Sequence, residues 1–314
     1  RDFSNWTEIM SATGEPTSEK AFTRPRPGHA DLAGYYKYGH TDLRDVLERS
    51  SARETTARVA AGALARALLL ELGIEVFSHV TVLGGIAVSS EELPESPEAI
   101  RERAESNDLR CAASEETLVS IRKLIDETRK AGTTLGGEVE VVVTGLPPGL
   151  GSYVQWDRRL DGQLAQAVMS IQAVKSVSIG DGELGARVPG SDFHDAIVPG
   201  GTPQTLTRPT NRAGGLEGGV TNGMPLVVRA AMKPISTLMK PLGTVDLRTG
   251  ERGEAVRERS DVCALPAAGV VGEAMVAIVL AGAVLEKFGG DSLTELRRNW
   301  AGYQEQLRVR SFGG

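Results

Sequence analysis

Arg49-Ser50-Ser51-Ala52-Arg53-Glu54-Thr55 opens the run Thr56-Ala57-Arg58-Val59-Ala60-Ala61-Gly62-Ala63, and the reading of this stretch decides the fold. Alanine, valine and leucine dominate as far as Leu72. Gly73 follows, the residue type that ends helices in the left-handed conformation. The pattern predicts a long helix over 49–72. Ser51 with Glu54 three residues later matches a capping box ahead of an apolar run. Arg49 and Arg53 then fall on the first turn, at the positive end of the helix dipole, where cations oppose helix stability. An anion held at that end would offset the conflict. The plainer alternative is a solvated helix start with two exposed arginines.

A second long apolar helix is expected over 267–288, closed by Gly289-Gly290. Its Gly269, Gly272 and Gly282 each weaken a helix by up to about 1 kcal/mol relative to alanine, so close approach by neighbouring elements is expected there. Pro266 and Glu273 are expected to interrupt the apolar stretch 262–285. That leaves Ala274–Leu285, too short for a bilayer span of about 20 residues. Between the two helices, alternation predicts strands over 74–88 (turning at Gly84-Gly85), 136–143, 177–179 and 226–232. Amphipathic or apolar periodicity predicts helices over 114–131 and 160–174. A helix apolar on every face belongs in a core. The expected class is therefore α+β, with long apolar core helices between antiparallel sheets. A single domain is expected over 1–314, with an irregular lead-in over 1–23 and an extended, non-helical arm at Arg24-Pro25-Arg26-Pro27.

The chain has 314 residues, 40% of them hydrophobic and only 4% aromatic, enough for a large core packed without many rings. A net charge of −6 argues against a general nucleic-acid binder. Positive charge is nevertheless concentrated in Arg24, Arg26, Lys37, Arg44, Arg49, Arg53 and Arg58, and a local anion site is compatible with an acidic whole. Cys111 and Cys263 lack metal-ligand spacing, which points to a reduced, cytoplasmic setting with no disulfide framework; the shortness of the uninterrupted apolar stretch points to no membrane partner.

Four segments carry unusual polar content: Arg26, His29 and Asp31 on the arm; Arg49, Ser51 and Arg53; the glycine loop 211–223 with Lys233-Pro234-Ile235-Ser236-Thr237; and Arg259-Ser260-Asp261. Taken singly each is ordinary, since a lone histidine usually caps a loop and a glycine run usually makes turns. None matches a P-loop or dinucleotide fingerprint, and no zinc spacing or Ser/His/Asp pattern is present. Together they describe the handling of a multiply anionic small molecule, with forked arginine donors and a few acid–base groups.

Arg26-Pro27-Gly28-His29-Ala30-Asp31, Tyr38-Gly39-His40-Thr41-Asp42, Arg49 to Thr55, Asn211-Arg212-Ala213-Gly214-Gly215, Lys233 to Thr237 and Arg259-Ser260-Asp261 occur in an order that resembles the chorismate synthase family. The resemblance runs from about Arg24 to Asn299. It implies a β-α-β sandwich, usually a homotetramer. The implied activity converts 5-enolpyruvylshikimate 3-phosphate to chorismate and phosphate by anti-1,4-elimination, with reduced flavin mononucleotide (FMN). It further implies His29 and Asp261 as catalytic groups near the flavin, and Arg26, Arg53 and Arg259 as substrate contacts. Arg49, Ser50, Ser51, Gln172, Ala173, Gly218, Lys233, Pro234, Ile235, Ser236, Thr237 and Arg259 are implied as flavin contacts. The family's early Gly-Glu-Ser-His-Gly motif is not found in this sequence. The expectation is that a segment preceding Arg1 is missing and that the chain has little activity without its histidine. Two other classes compete: a flavin-dependent oxidoreductase that reduces its own flavin with NADPH, and a non-catalytic anion-binding protein.

Overall fold

The computed structural model describes residues 21–200, 206–257 and 260–309. Their longer elements, in chain order, are α1 (Asp31–Tyr38), α2 (Arg44–Ser50), α3 (Thr55–Leu70), β1 (Glu75–Leu83), β2 (Ile86–Ala87), α4 (Pro97–Glu105), α5 (Glu115–Ala131), β3 (Gly137–Thr144), α6 (Leu160–Met169), β4 (Val174–Ile179), β5 (Leu226–Met232), β6 (Gly243–Val245), β7 (Arg252–Glu254), α7 (Leu265–Phe288) and α8 (Leu293–Val309). The chain divides into two compact units, one built from 1–51 with 236–260, the other from 52–235 with 261–314.

The larger unit is organised by a five-stranded antiparallel sheet in the order β2-β1-β3-β5-β4. Gly84 and Gly85, both at positive φ, make the β1–β2 turn. Opposite residues of paired strands share a face. Val76, Ser78 and Val80 therefore lie in register with Val143, Val141 and Val139, and these with Leu226, Val228 and Ala230. All nine are buried, and α7 packs on this face. Gly269 and Gly272 permit that approach: a Cβ on Gly269 would sit 2.6 Å from Ser78 Oγ, and one on Gly272 3.0 Å from Val141 Cγ2. Gly282 has no such neighbour within 4 Å, so close approach does not explain it. On the opposite face of the sheet, His79, Glu140 and Arg229 stand in register and form a charged row. Glu140 lies 3.3 Å from His79 and accepts from Arg229 at 2.8 Å.

α7 is one unbroken helix. Pro266 lies in its first turn, where a missing N–H is harmless, and Glu273 is absorbed within it. The expected interruption is thus corrected. By length and hydropathy α7 alone, among the described residues, passes as a possible membrane span, and 67% of its most apolar window is buried in the protein. Glu273, 2% exposed, is satisfied by Ser78 Oγ (2.7 Å), Arg66 (2.7 Å) and Arg110 (2.6 Å). Arg110 stands at positive φ, and its carbonyl accepts from the Val80 N–H.

In the smaller unit, the arm before α1 is non-helical as its prolines require. It is stapled to the later segment by Thr23 Oγ1 donating to Asp246 (2.9 Å), Thr244 Oγ1 donating to the Pro25 carbonyl (2.7 Å), and an Arg24–Asp246 ion pair. β6 and β7 form a hairpin there. Cys111 and Cys263 are both free thiols whose titration burial pushes up.

Candidate functional site

Arg26-Pro27-Gly28-His29 closes a tight turn. The His29 N–H donates to the Arg26 carbonyl at 3.2 Å, with Pro27 second and Gly28 third at φ +78°, a residue order that suits a type II turn. The turn folds His29 back on Arg26, and α1 begins two residues later at Asp31. The Asp31 carboxylate is fully buried. It accepts from the Arg26 backbone N–H (3.0 Å), from Arg26 Nε (2.9 Å) and Nη2 (3.0 Å), and from His29 Nδ1 (2.5 Å). Burial opposes its charge, but the donors on His29 and Arg26 outweigh burial and hold it well below the usual carboxylate range. Arg26 Nη1 reaches Thr237 Oγ1 at 3.3 Å. Arg26, expected to meet substrate anions, is buried, and its Nε, Nη1 and Nη2 all lie against Asp31, Thr237 or His29. His29 remains partly accessible, at 20% side-chain exposure.

The expected helix over 49–72 is two helices. Ser51 takes an extended conformation (ψ 137°), ending α2, and a short 3-10 turn over Ala52–Glu54 leads into α3. The helix α3 starts at Thr55 with Glu54 rather than Ser51 as its N-cap residue. Ser50 Oγ donates back to the Val46 carbonyl at 2.6 Å. Glu54 pairs with Arg58 one turn on (2.8 Å) and accepts from Gln172 Nε2 (2.6 Å). The break removes the charge conflict for Arg49, which lies in the last turn of α2 where a cation suits the dipole; Arg53 stays just ahead of α3, and both are exposed.

The expected helix over 160–174 ends at Met169, because β4 begins at Val174 and the chain must turn. Ala173 makes that turn at φ +67°, an uncommon conformation for alanine. Its carbonyl accepts from the Lys233 N–H at 2.9 Å. Beside it Gln172 Oε1 is buried with no hydrogen-bond partner among the described residues. Burial, helped by the nearby Lys175 charge, pulls the Lys233 ammonium below its ordinary range. Gln172 and Ala173 therefore lie beside Lys233.

Three residues that sequence reading passed over hold the neighbouring chain in place. Thr134 Oγ1 donates to the Ile235 carbonyl (2.7 Å), the Leu135 N–H donates to the Val262 carbonyl (2.8 Å), and the Lys233–Pro234 backbone lies so close to Gly136 that a Cβ there would meet Pro234 N at 2.9 Å. The only signal was a Gly/Thr-rich loop ahead of a strand. Pro234 and Asp261 are exposed, and Ser236 is half-buried. Gly218, at φ +62°, sits in a separate turn beside Tyr153. Arg259 lies outside the described residues.

The carboxylate-paired histidine of the smaller unit and the desolvated lysine of the larger unit are groups of the kind found in enzymes that handle anionic substrates. Comparison with known proteins gives the family. The chorismate synthase family model matches residues 1–285. Chorismate synthases of Salinispora tropica and Trichlorobacter lovleyi are 55% and 56% identical to this chain, over 98% of it and 80% of each relative. A crystal structure of chorismate synthase superposes with a TM-score of 0.76 at 44% identity, covering 89% of this chain and 77% of that one. The chain belongs to the chorismate synthase family. It is a lyase of the shikimate pathway, in aromatic amino acid biosynthesis, and acts on an anionic substrate, 5-enolpyruvylshikimate 3-phosphate, to release chorismate and phosphate.

Proposed function

We propose that the elimination uses reduced FMN, and that the residues named above divide the work as follows. In the larger unit, Gln172, Ala173, Gly218, Lys233, Pro234 and Ile235 hold the flavin. The observation that carries this reading is Gln172 Oε1, a buried acceptor without a partner beside a strained Ala173 and a desolvated Lys233. An orphaned acceptor in such a place calls for a donor such as a ring N–H, and a lysine suits an anion. The donor set therefore fits an anionic heterocycle. When bound, the reduced flavin supplies the electron-rich ring that assists phosphate loss. Asp261 takes or returns a proton, and Arg53 binds substrate anions, as does Arg259, which lies outside the described residues. In the smaller unit, Arg49, Ser50, Ser51, Ser236 and Thr237 belong to the flavin-contacting segments. His29 holds and moves a proton, and Arg26 serves Asp31 and His29 rather than substrate.

The test is anaerobic titration with photoreduced FMN. Gln172→Ala and Lys233→Met each weaken binding about 10-fold, the equivalent of about 1.4 kcal/mol. Undiminished affinity in both removes the reading. His29→Ala and Asp261→Asn slow chorismate formation while circular dichroism stays unchanged; unchanged rates remove their assigned roles. The resemblance also supports a cytoplasmic homotetramer, which sedimentation checks. Flavin reduction by NADPH alone under anaerobic conditions would favour the oxidoreductase reading instead.

A further inference from the structure

We propose that Asp31 is the positioning residue of His29, fixing its neutral imidazole as the Nδ1–H tautomer so that Nε2 is the atom that exchanges the proton. The inference rests on the acid–base reading of His29 and names the group that sets its chemistry.

The argument is one of donors and acceptors. An ionised carboxylate only accepts hydrogen bonds. Asp31 Oδ2 is occupied by the Arg26 backbone N–H and Nε, and Oδ1 by Arg26 Nη2 and His29 Nδ1. At 2.5 Å from Oδ1, Nδ1 must carry a proton, because two lone pairs at that separation repel. Arg26 Nη2 stands 3.0 Å from Nδ1 and 3.2 Å from Nε2, against the edge of the ring between them, and so selects neither nitrogen. The Nδ1–H tautomer satisfies the carboxylate. The Nε2–H tautomer sets a lone pair against it at 2.5 Å. Neutral His29 is therefore confined to one tautomer by the buried Asp31 carboxylate.

The arrangement is built locally. The Pro27-Gly28 turn returns His29 to Arg26, and the first residue of α1 delivers Asp31 to both. Full burial of Asp31 matters, because water at Oδ1 would compete for the Nδ1 proton. Losing the carboxylate while keeping the shape of the side chain is thus expected to change the tautomer rather than the fold. A buried aspartate that orients a histidine in this way is a recurring device in enzymes.

The experiment is long-range 1H–15N correlation spectroscopy on the 15N-histidine-labelled protein, with His29 assigned by loss of its signals in His29→Gln. The expected result is a protonated Nδ1 and an unprotonated Nε2 in the neutral ring. In Asp31→Asn the Nδ1–H correlation is lost or shared with Nε2–H, and in Asp31→Glu it is retained. A wild-type ring in the Nε2–H form overturns the proposal, as does an Asp31→Asn ring that keeps the wild-type pattern. Should Asp31→Asn fail to fold, the wild-type spectrum alone decides. Failure here is distinct from failure of the acid–base reading, which is judged by turnover of His29→Ala and not by the tautomer.

Discussion

α3 and α7 look alike in sequence, both rich in alanine, valine and leucine and both ending near glycine, yet they live in different surroundings. α7 buries residues all around its circumference, including a charged one, against the sheet and its neighbouring helices. α3 buries only Gly62 and Leu69, and leaves Leu64 76% exposed along with Leu70 and several alanines. Composition thus reports that a helix is able to be buried. The positions where another backbone comes close report where it is buried.

The largest test of this contrast is Glu273→Ala in α7. It leaves Arg66 and Arg110 facing a hole under the sheet, and urea unfolding is expected to show a loss of about 3 kcal/mol, the low end for a broken buried pair because both arginine heads are partly exposed. A loss under 1 kcal/mol would mean that the charge cluster contributes little to the α7 environment. Next is Gly62→Ala, where α3 comes close to the α7 backbone: a Cβ there would lie 2.6 Å from Ala274 Cα. Alanine gains about 1 kcal/mol of helix propensity. Overpacking against a backbone costs about 1–3 kcal/mol, so a net loss of about 1 kcal/mol is expected in the same measurement, and a gain would mean that the helices yield. Gly282→Ala in α7 isolates the propensity term, since nothing stands within 4 Å, and is expected to stabilise by about 0.5–1 kcal/mol. The smallest effect belongs to Leu64→Ser on the outer face of α3, which should stay within about 0.5 kcal/mol of the parent; a larger loss would show that this face is covered in solution.

Much of the framework was legible. β3 and β5, the amphipathic α5 with its Ser114 cap, and α7 follow the expected bounds closely, because period and punctuation agree there. The misses share a cause. Residues 49–72 read as one helix, but the chain turns extended at Ser51 and restarts as α3 at Thr55. At residues 170–174 helical periodicity continues past Met169, while pairing of Val174 with Met232 requires a turn. Arg26 carries the same charge as Arg49 and Arg53, and only three-dimensional neighbours distinguish an inward guanidinium from an outward one. Most of the candidate site was visible as motifs. The supporting Thr134-Leu135-Gly136 loop was not, because backbone carbonyl partners leave no mark on residue type.

The smaller unit is discontinuous: Arg26 finds Thr237, and Thr23 finds Asp246, more than 200 residues further along the chain. On the ribosome the arm carrying His29 therefore emerges long before the strands that staple it. At about 5–20 residues per second, roughly 180 intervening residues correspond to about 10–40 s of synthesis. By the end of that interval the larger unit has its sheet strands and most of its helices in hand, while the histidine's own scaffold is still waiting for its second half to be made.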